Sequence, residues 1–248
     1  MGEFLATGPQ WLQPFLPTTR MLAVGVPLAL LWTLAAGGVA AWLRTRRDVP
    51  TPYTRKVFHF LIIPAATAVQ LVWGLPGVTV FGSVAAAVVL LAVARADGFP
   101  LYEALARPSD APHRSLFVVV PLLTTALGGV LANVFFSPFA PVGYLVMGWG
   151  DAVGEPVGTR WGRHRYPVRS LAGVPATRSL EGSAAVLVVG AVAATLALVG
   201  LGVPPQRALQ VGALCGAAAA VTEALSTHGL DNLTLQVVTA AVAFTLLP

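Results

Sequence analysis

Apolar runs long enough to cross a bilayer recur along this chain, separated by short polar stretches. A membrane helix needs about 20 mostly apolar residues. The pattern predicts spans near 21–43, 57–73, 76–94, 115–136, 140–158, 183–201, 207–225 and 231–247. Gly74 and Leu75 alone separate the second span from the third, and Pro76 opens the third, which predicts a tight turn. The connectors alternate in charge. Arg44, Arg46, Arg47, Arg55 and Lys56 follow the first span, Arg95, Arg107 and Arg114 follow the third, and an arginine cluster follows the fifth. Those at 74–75, 137–139 and 202–206 are nearly uncharged, and only Arg20 and Arg207 fall on the sparse side. The positive-inside rule then places the basic connectors in the cytoplasm and both termini outside. The expected fold class is all-α: a polytopic integral membrane protein of about eight transmembrane helices, in one domain spanning 1–248.

Composition agrees with that pattern. Of 248 residues, 56% are hydrophobic and only 10% charged, against about 25% charged in soluble domains. The net charge of +5 does not argue for nucleic acid, because the basic residues sit between apolar spans. Basic loops at a membrane surface favour anionic headgroups and nucleotide phosphates instead. Cys215 is the single cysteine and lies in an apolar run, so no intrachain disulfide forms and it reads as a small buried hydrophobe. The stretch before the first span carries Glu3, Trp11 and prolines but no basic n-region, unlike a cleavable signal peptide. Trp11, Trp73 and Trp161 fall near span ends, where aromatic belts are expected. The segment 95–114 reads as a surface connector, and His113 and His228 as isolated, solvated loop residues.

Against this apolar background the polar residues crowd into one stretch, Gly148 to Ser183. Asp151 and Glu155 stand four apart, so on a helix their carboxylates share a face. Gly150, Gly154, Gly158 and Gly162 recur every fourth residue and leave a second face bare, where another helix or a bulky ligand can approach closely. Pro156 is expected to break the helix there and leave Glu155 wetter. Downstream lie Arg160, Arg163, His164, Arg165, Arg169 and Arg178, then Glu181, Gly182 and Ser183. Span order brings His59, Glu223, Asp231 and Asn232 to the same membrane face, with Glu3 alone opposite. An acid inside a membrane span is costly, which makes Asp151 a functional candidate. Asp231 has a plainer reading as a helix cap. Most of the arginines are what topology alone demands, but Arg178 precedes Glu181 where the chain re-enters the membrane. There a guanidinium clamps phosphate bidentately, and Ser179 or Ser183 caps a helix whose N–H groups face an anion. Magnesium takes one or two carboxylates plus substrate phosphates, which suits Asp151 with a second acid. Phosphoryl transfer needs little beyond such positioning and charge neutralisation.

Four motifs, in order, resemble the polyprenol kinase family, which covers dolichol kinases, phytol kinases and CTP-dependent diacylglycerol kinases. Arg55-Lys56-Val57-Phe58-His59 is similar to the family's Arg-Lys-x-x-His entry to a helix. Gly150-Asp151 with Gly154, Gly158 and Gly162 is similar to its Gly-Asp-x-x-Ala-x-x-x-Gly-x-x-x-Gly signature, and Arg178-Ser179-Leu180-Glu181-Gly182-Ser183 to its Lys-Ser/Thr-x-Glu-Gly-Ser/Thr. Glu223 with Asp231-Asn232-Leu233-Thr234 is similar to its closing Glu and Asp-Asn-Leu-Thr. Two positions depart: Arg178 stands for a lysine and Gly154 for an alanine. More distantly the chain resembles phosphatidate cytidylyltransferases.

The resemblance implies a membrane-embedded kinase that moves the γ-phosphoryl group of CTP to the hydroxyl of an isoprenoid alcohol such as phytol or a polyprenol. It implies Mg2+ held by Asp151, Glu155 and Asp231, with Asp151, Asp231 and His59 as catalytic residues. Nucleotide contacts fall to Arg55, Lys56, Arg163, Arg178, Ser179, Glu181, Gly182, Ser183 and Asn232, with Glu223 and the four glycines as supporting positions. The expected partners are a lipid alcohol, a nucleoside triphosphate and membrane lipids, with no nucleic acid. Active-site loops near 44–58, 95–114 and 159–182 would lie on the cytoplasmic side of a bacterial or archaeal cell membrane. Two other readings remain open: a CDP-lipid-forming cytidylyltransferase, whose usual Pro-Lys-Lys is absent here, and a small ion-coupled transporter.

Overall fold

The computed structural model describes residues 10–171 and 175–247. A short 3-10 turn, Gln10–Phe15, precedes the helix α1, Thr19–Arg46. The Thr18 hydroxyl caps α1 by accepting from the Met21 N–H at 3.2 Å. Next comes α2, Thr51–Arg95, with Pro52 in its first turn where a missing N–H costs nothing. A straight helix of 45 residues would run about 68 Å at 1.5 Å per residue, over twice the roughly 30 Å of bilayer hydrocarbon. Gly74 breaks it, with φ +66° and ψ −161°, a backbone state that glycine adopts without strain. The turn expected at 74–75 is thus a kink that leaves two arms.

The connector after α2 differs from expectation. It contains a helix, α3, Pro100–Leu105, of whose six residues Leu101, Tyr102, Ala104 and Leu105 are buried. It packs on α1 and α2 rather than lying on the surface. Helix α4 covers Leu116–Phe136. The predicted fifth span is one rod in three pieces: α5, Ala140–Val146, a π-turn at Met147–Asp151, and α6, Ala152–Trp161. Every residue of α5 is buried, against α2, α4, α7 and α9. Such a helix must be apolar all round, and it must be slim: a Cβ on Gly143 would collide with the Gln236 carbonyl. The rod continues through Pro156 instead of breaking. The irregularity sits just upstream, in the wide turn ending at Asp151, and π-turns of this kind are frequent at functional sites.

An antiparallel hairpin follows, β1 Arg165–Val168 and β2 Ala176–Ser179, with Arg165 opposite Ser179 and Tyr166 opposite Arg178. It was not expected: the arginine-rich stretch has no apolar alternation long enough to predict strands. Helices α7, Leu180–Gly200, α8, Pro205–Leu225, and α9, Asp231–Leu246, complete the fold. The architecture is otherwise all-α. By length and composition α1, α2, α4, α7 and α8 can each cross a membrane, while α9 is shorter. Large apolar side chains such as Leu31, Val72 and Leu225 stand more than 65% exposed, a surface that suits lipid better than water. The side chains of Glu3 and Trp11 lie outside the described residues.

Candidate active site

The bare face of the rod decides where the polar residues meet. An ideal Cβ on Gly154 would stand 2.6 Å from Val186 Cγ2, and one on Gly182 2.9 Å from the Gly154 carbonyl. The glycine repeat therefore accepts another helix, α7, in near backbone contact. Gly158 and Gly162 meet Ser179 in the same way. Ser179 is buried there and its Oγ accepts from the Gly182 N–H at 3.1 Å, capping α7. This contact draws Asp151 and Glu155 on the rod toward Arg178 at the end of β2.

A polar chamber of about 290 Å3 results, between α2, the rod, the hairpin, α7 and the α8–α9 turn. Lys56 of α2 stands 2.6 Å from Asp151 Oδ2 and 3.0 Å from Glu155 Oε2. His59, one turn along α2, places Nδ1 3.5 Å from the same Asp151 oxygen. Arg178 serves three acceptors: Nε faces Glu223 at 2.8 Å, Nη2 faces Asp231 at 3.0 Å, and Nη1 donates to the Ser226 carbonyl at 2.9 Å. An arginine fork reaches three separated acceptors, which is a physical reason for arginine rather than lysine at this position. Asp231 is thus an ion-pair partner at the first residue of α9 and not the helix cap expected, since the N-cap is Leu230 and no side chain caps the helix.

Arg107 was assigned only to topology, yet it is built into the chamber. Its Nε contacts Asp110 at 3.0 Å, Nη1 contacts Glu155 at 2.8 Å, and Nη2 donates to His228 Nε2 at 2.8 Å. Asp110 is 3% exposed. His228 is not the solvated residue expected: it stacks on Phe117 with ring centroids 5.7 Å apart. Because a guanidinium only donates, His228 Nε2 must accept, which leaves the proton on Nδ1, 4.0 Å from Asp231. Burial, with Arg107 beside it, lowers the His228 pKa below 6.5 despite Asp231. Glu155 is likewise drier than expected, its side chain 21% exposed between Lys56 and Arg107. No local sequence signal separates Arg107 or His228 from ordinary loop residues. Only the packing of α3 and the His228 N–H bond to the Arg169 carbonyl bring them in.

Other expected site residues stand at the margin. Glu181 accepts from His164 Nδ1 at 2.8 Å, outside the chamber lining. Ser183 bridges Glu223 at 3.0 Å and Tyr166 at 2.9 Å, holding Glu223 from behind. Arg163 is exposed and lines neither chamber. Asn232 faces away from the polar chamber and donates to Thr125 Oγ1 at 2.8 Å. No group of three His, Cys, Asp or Glu among the described residues is close enough to hold a metal ion unaided.

A second chamber, apolar and of about 360 Å3, lies on the other side of α2's first arm. Phe58, Ile62, Val89, Phe117 and Val118 line it, and Arg55 lines both chambers. Arg55 Nη1 has no hydrogen-bond partner among the described residues. His59 also faces the apolar side. At the far end Asn133 takes a bond from Gln70 at 2.7 Å and gives one to Tyr144. Cys215 is buried as expected.

Comparison with known proteins places the chain as a whole beside one relative. The chain is 31% identical over 235 residues to the phytol kinase of Synechocystis sp. (strain ATCC 27184 / PCC 6803 / Kazusa), covering 92% of this chain and 94% of that protein. No family model matches the chain, and no solved structure does.

Proposed function

The chain belongs to the polyprenol and phytol kinase family and is a phosphotransferase; on that premise we propose that it moves the γ-phosphoryl group of CTP to the hydroxyl of an isoprenoid alcohol such as phytol or a polyprenol. The observation that carries this reading is the meeting of a charged chamber and an apolar one at Arg55, with His59 on the apolar side reaching Asp151 of the charged one. A nucleotide takes the first and a hydrocarbon tail the second, so the two reacting groups come together beside Asp151. Family membership replaces the transporter reading, and the missing Pro-Lys-Lys disfavours the cytidylyltransferase.

Asp151 orients His59 through Nδ1 and leaves Nε2 toward the acceptor hydroxyl. His59 takes the hydroxyl proton as that oxygen bonds to the γ-phosphorus. The bond from the γ-phosphorus to the β–γ bridging oxygen breaks, and CDP leaves with that oxygen. Arg55, with its unpaired Nη1, and Arg178 hold the phosphates.

Charge supports a role for magnesium. Arg55, Lys56, Arg107, Arg165 and Arg178 line the polar chamber, against Asp110, Asp151, Glu155, Glu223 and Asp231. Five cations facing five carboxylates leave no surplus for a triphosphate. The oxygen donors suit magnesium, and Asp151, Glu155 or Asp231 would hold it with phosphate oxygens completing the shell. Bound there, it would supply the charge neutralisation that the side chains lack.

In this reading each arm of α2 crosses the membrane, with α1, α4, the α5–α6 rod, α7, α8 and α9, making eight spans. Both termini lie outside, and the polar chamber opens to the cytoplasm of a bacterial or archaeal cell. The test is transfer of label from γ-labelled CTP or ATP to geraniol, farnesol, geranylgeraniol, phytol or diacylglycerol, with magnesium, by purified protein in detergent. Label on an isoprenoid alcohol, preferred from CTP, is the expected result. Pyrophosphate release from CTP and a phosphatidic acid, without lipid labelling, would replace the kinase reading.

A further inference from the structure

The apolar chamber reaches the protein surface along one seam. Gly82 and Ser83, on the second arm of α2, and Ala126 and Val130, on α4, line the chamber and are themselves exposed. The surface beside them is hydrocarbon: Leu90 and Leu91 on α2, Leu123 and Leu127 on α4. Buried side chains such as Phe58, Ile62, Phe81 and Phe117 form the inner part of the chamber's wall. Gly82 lies roughly 20 Å of helix from Arg95, and Ala126 about 15 Å from Leu116, at 1.5 Å per residue. Both distances carry the seam below the headgroups and into bilayer hydrocarbon.

We propose that this seam is the lateral entrance through which the acceptor's tail passes from the bilayer into the apolar chamber, and that Gly82 and Ala126 keep it open. The proposal rests on the lipid-alcohol kinase reading above. A long isoprenoid alcohol already has its chain in hydrocarbon. Entry through the polar chamber would drag that chain through water and past the ion pairs, whereas sideways passage exposes none of it. The apolar chamber behind the seam includes His59 and Arg55 in its lining, and Arg55 also lines the charged chamber. Two glycines of this chamber differ in what they provide. A Cβ on Gly129 would stand 3.2 Å from the Tyr144 ring, so that glycine serves close packing. A Cβ on Gly82 meets nothing within 4 Å, so that glycine leaves room. A tail longer than the chamber keeps its end in the bilayer through the same opening.

The experiment compares wild type with Gly82→Phe and, separately, Ala126→Phe, as full chains in phospholipid vesicles. Each is assayed with geraniol, farnesol, geranylgeraniol and phytol. Leu123→Phe, exposed on α4 but off the chamber lining, is the control. Expected from both rims is a fall of about tenfold or more in kcat/KM for the longest accepted alcohol, the equivalent of losing roughly two buried methylenes. The shortest accepted alcohol should be little affected, and the KM for nucleotide unchanged. If the long-to-short ratio stays at the wild-type value in the variants, whether activity is kept or uniformly lowered, the seam is not the entrance. A wild type that phosphorylates no alcohol would overturn the kinase reading itself; an active wild type with an unmoved ratio overturns only the entrance.

Discussion

Two chambers meet at Arg55, and they are held in opposite ways. In the polar chamber each named cation is fixed by partners distant in sequence: Lys56 by Asp151 and Glu155, Arg178 by Glu223 and Asp231, Arg107 by Glu155 and His228. In the apolar chamber the lining is mostly apolar side chains, valine, alanine, leucine, isoleucine and phenylalanine chief among them, which touch without direction. A buried charge that loses its partner is left uncompensated, whereas an apolar contact is replaced by any side chain of similar volume. Removing one partner of an ion pair in the first chamber should therefore act all-or-none, and changes in the second should act by degree.

The sharpest break of that contrast is Asp151→Asn. It removes the acid that Lys56 and His59 share, and phosphoryl transfer should fall about a thousandfold, as when one preorganised electrostatic group is lost. A rate within threefold of wild type, by label transfer, would take Asp151 out of the chemistry.

Next is Arg178→Ala, which leaves the buried carboxylates of Glu223 and Asp231 without their cation. We expect a loss of about 3–5 kcal/mol in stability, read by thermal unfolding in detergent. Adding Glu223→Gln should recover part of it. An additive pair would mean that Glu223 and Arg178 do not act together.

A smaller effect tests packing at the edge of the charged chamber. Gly154→Ala puts a Cβ against Val186 and should cost about 1 kcal/mol. Val186→Ala in the same chain should relieve it, as a double-mutant cycle in Tm would reveal.

The smallest concerns pH. His228 is held neutral in the fold, with its pKa lowered by burial and by Arg107. Below pH 6.5 the unfolded chain binds the proton more readily than the folded one, so stability falls as pH drops from 6.5 toward the folded pKa. Between pH 7.5 and 5.5 the fall in Tm should be shallower in His228→Gln. Identical slopes would show that His228 does not titrate as the fold requires.

Local pattern carried the helices and the glycine contact. Runs of about 20 apolar residues, a Gly-Leu-Pro break and a four-residue glycine repeat are statements about neighbours a few residues apart, and backbone geometry reads them directly. Asp151 was legible too, because an acid placed in an apolar run is costly, and Lys56, Arg178, Glu223 and Asp231 stood out through the motifs that resemble the polyprenol kinase family. Arg107, Asp110 and His228 were not. In the chain they look like any basic connector, and their roles arise only where α3 packs back on α1 and α2 and the hairpin ties to the α8–α9 turn.

By itself, then, the amino-acid order determined an all-α chain of apolar helices with its acids and arginines gathered at one end, since hydrophobic period and helix spacing are local properties. Tertiary structure alone decided which acid meets which cation, that the arginine-rich stretch folds as a hairpin over the charged chamber, and that a second, apolar chamber opens between α2 and α4. Those depend on contacts between residues as far apart as Lys56 and Asp151, or Arg107 and His228, and no local period encodes such pairings.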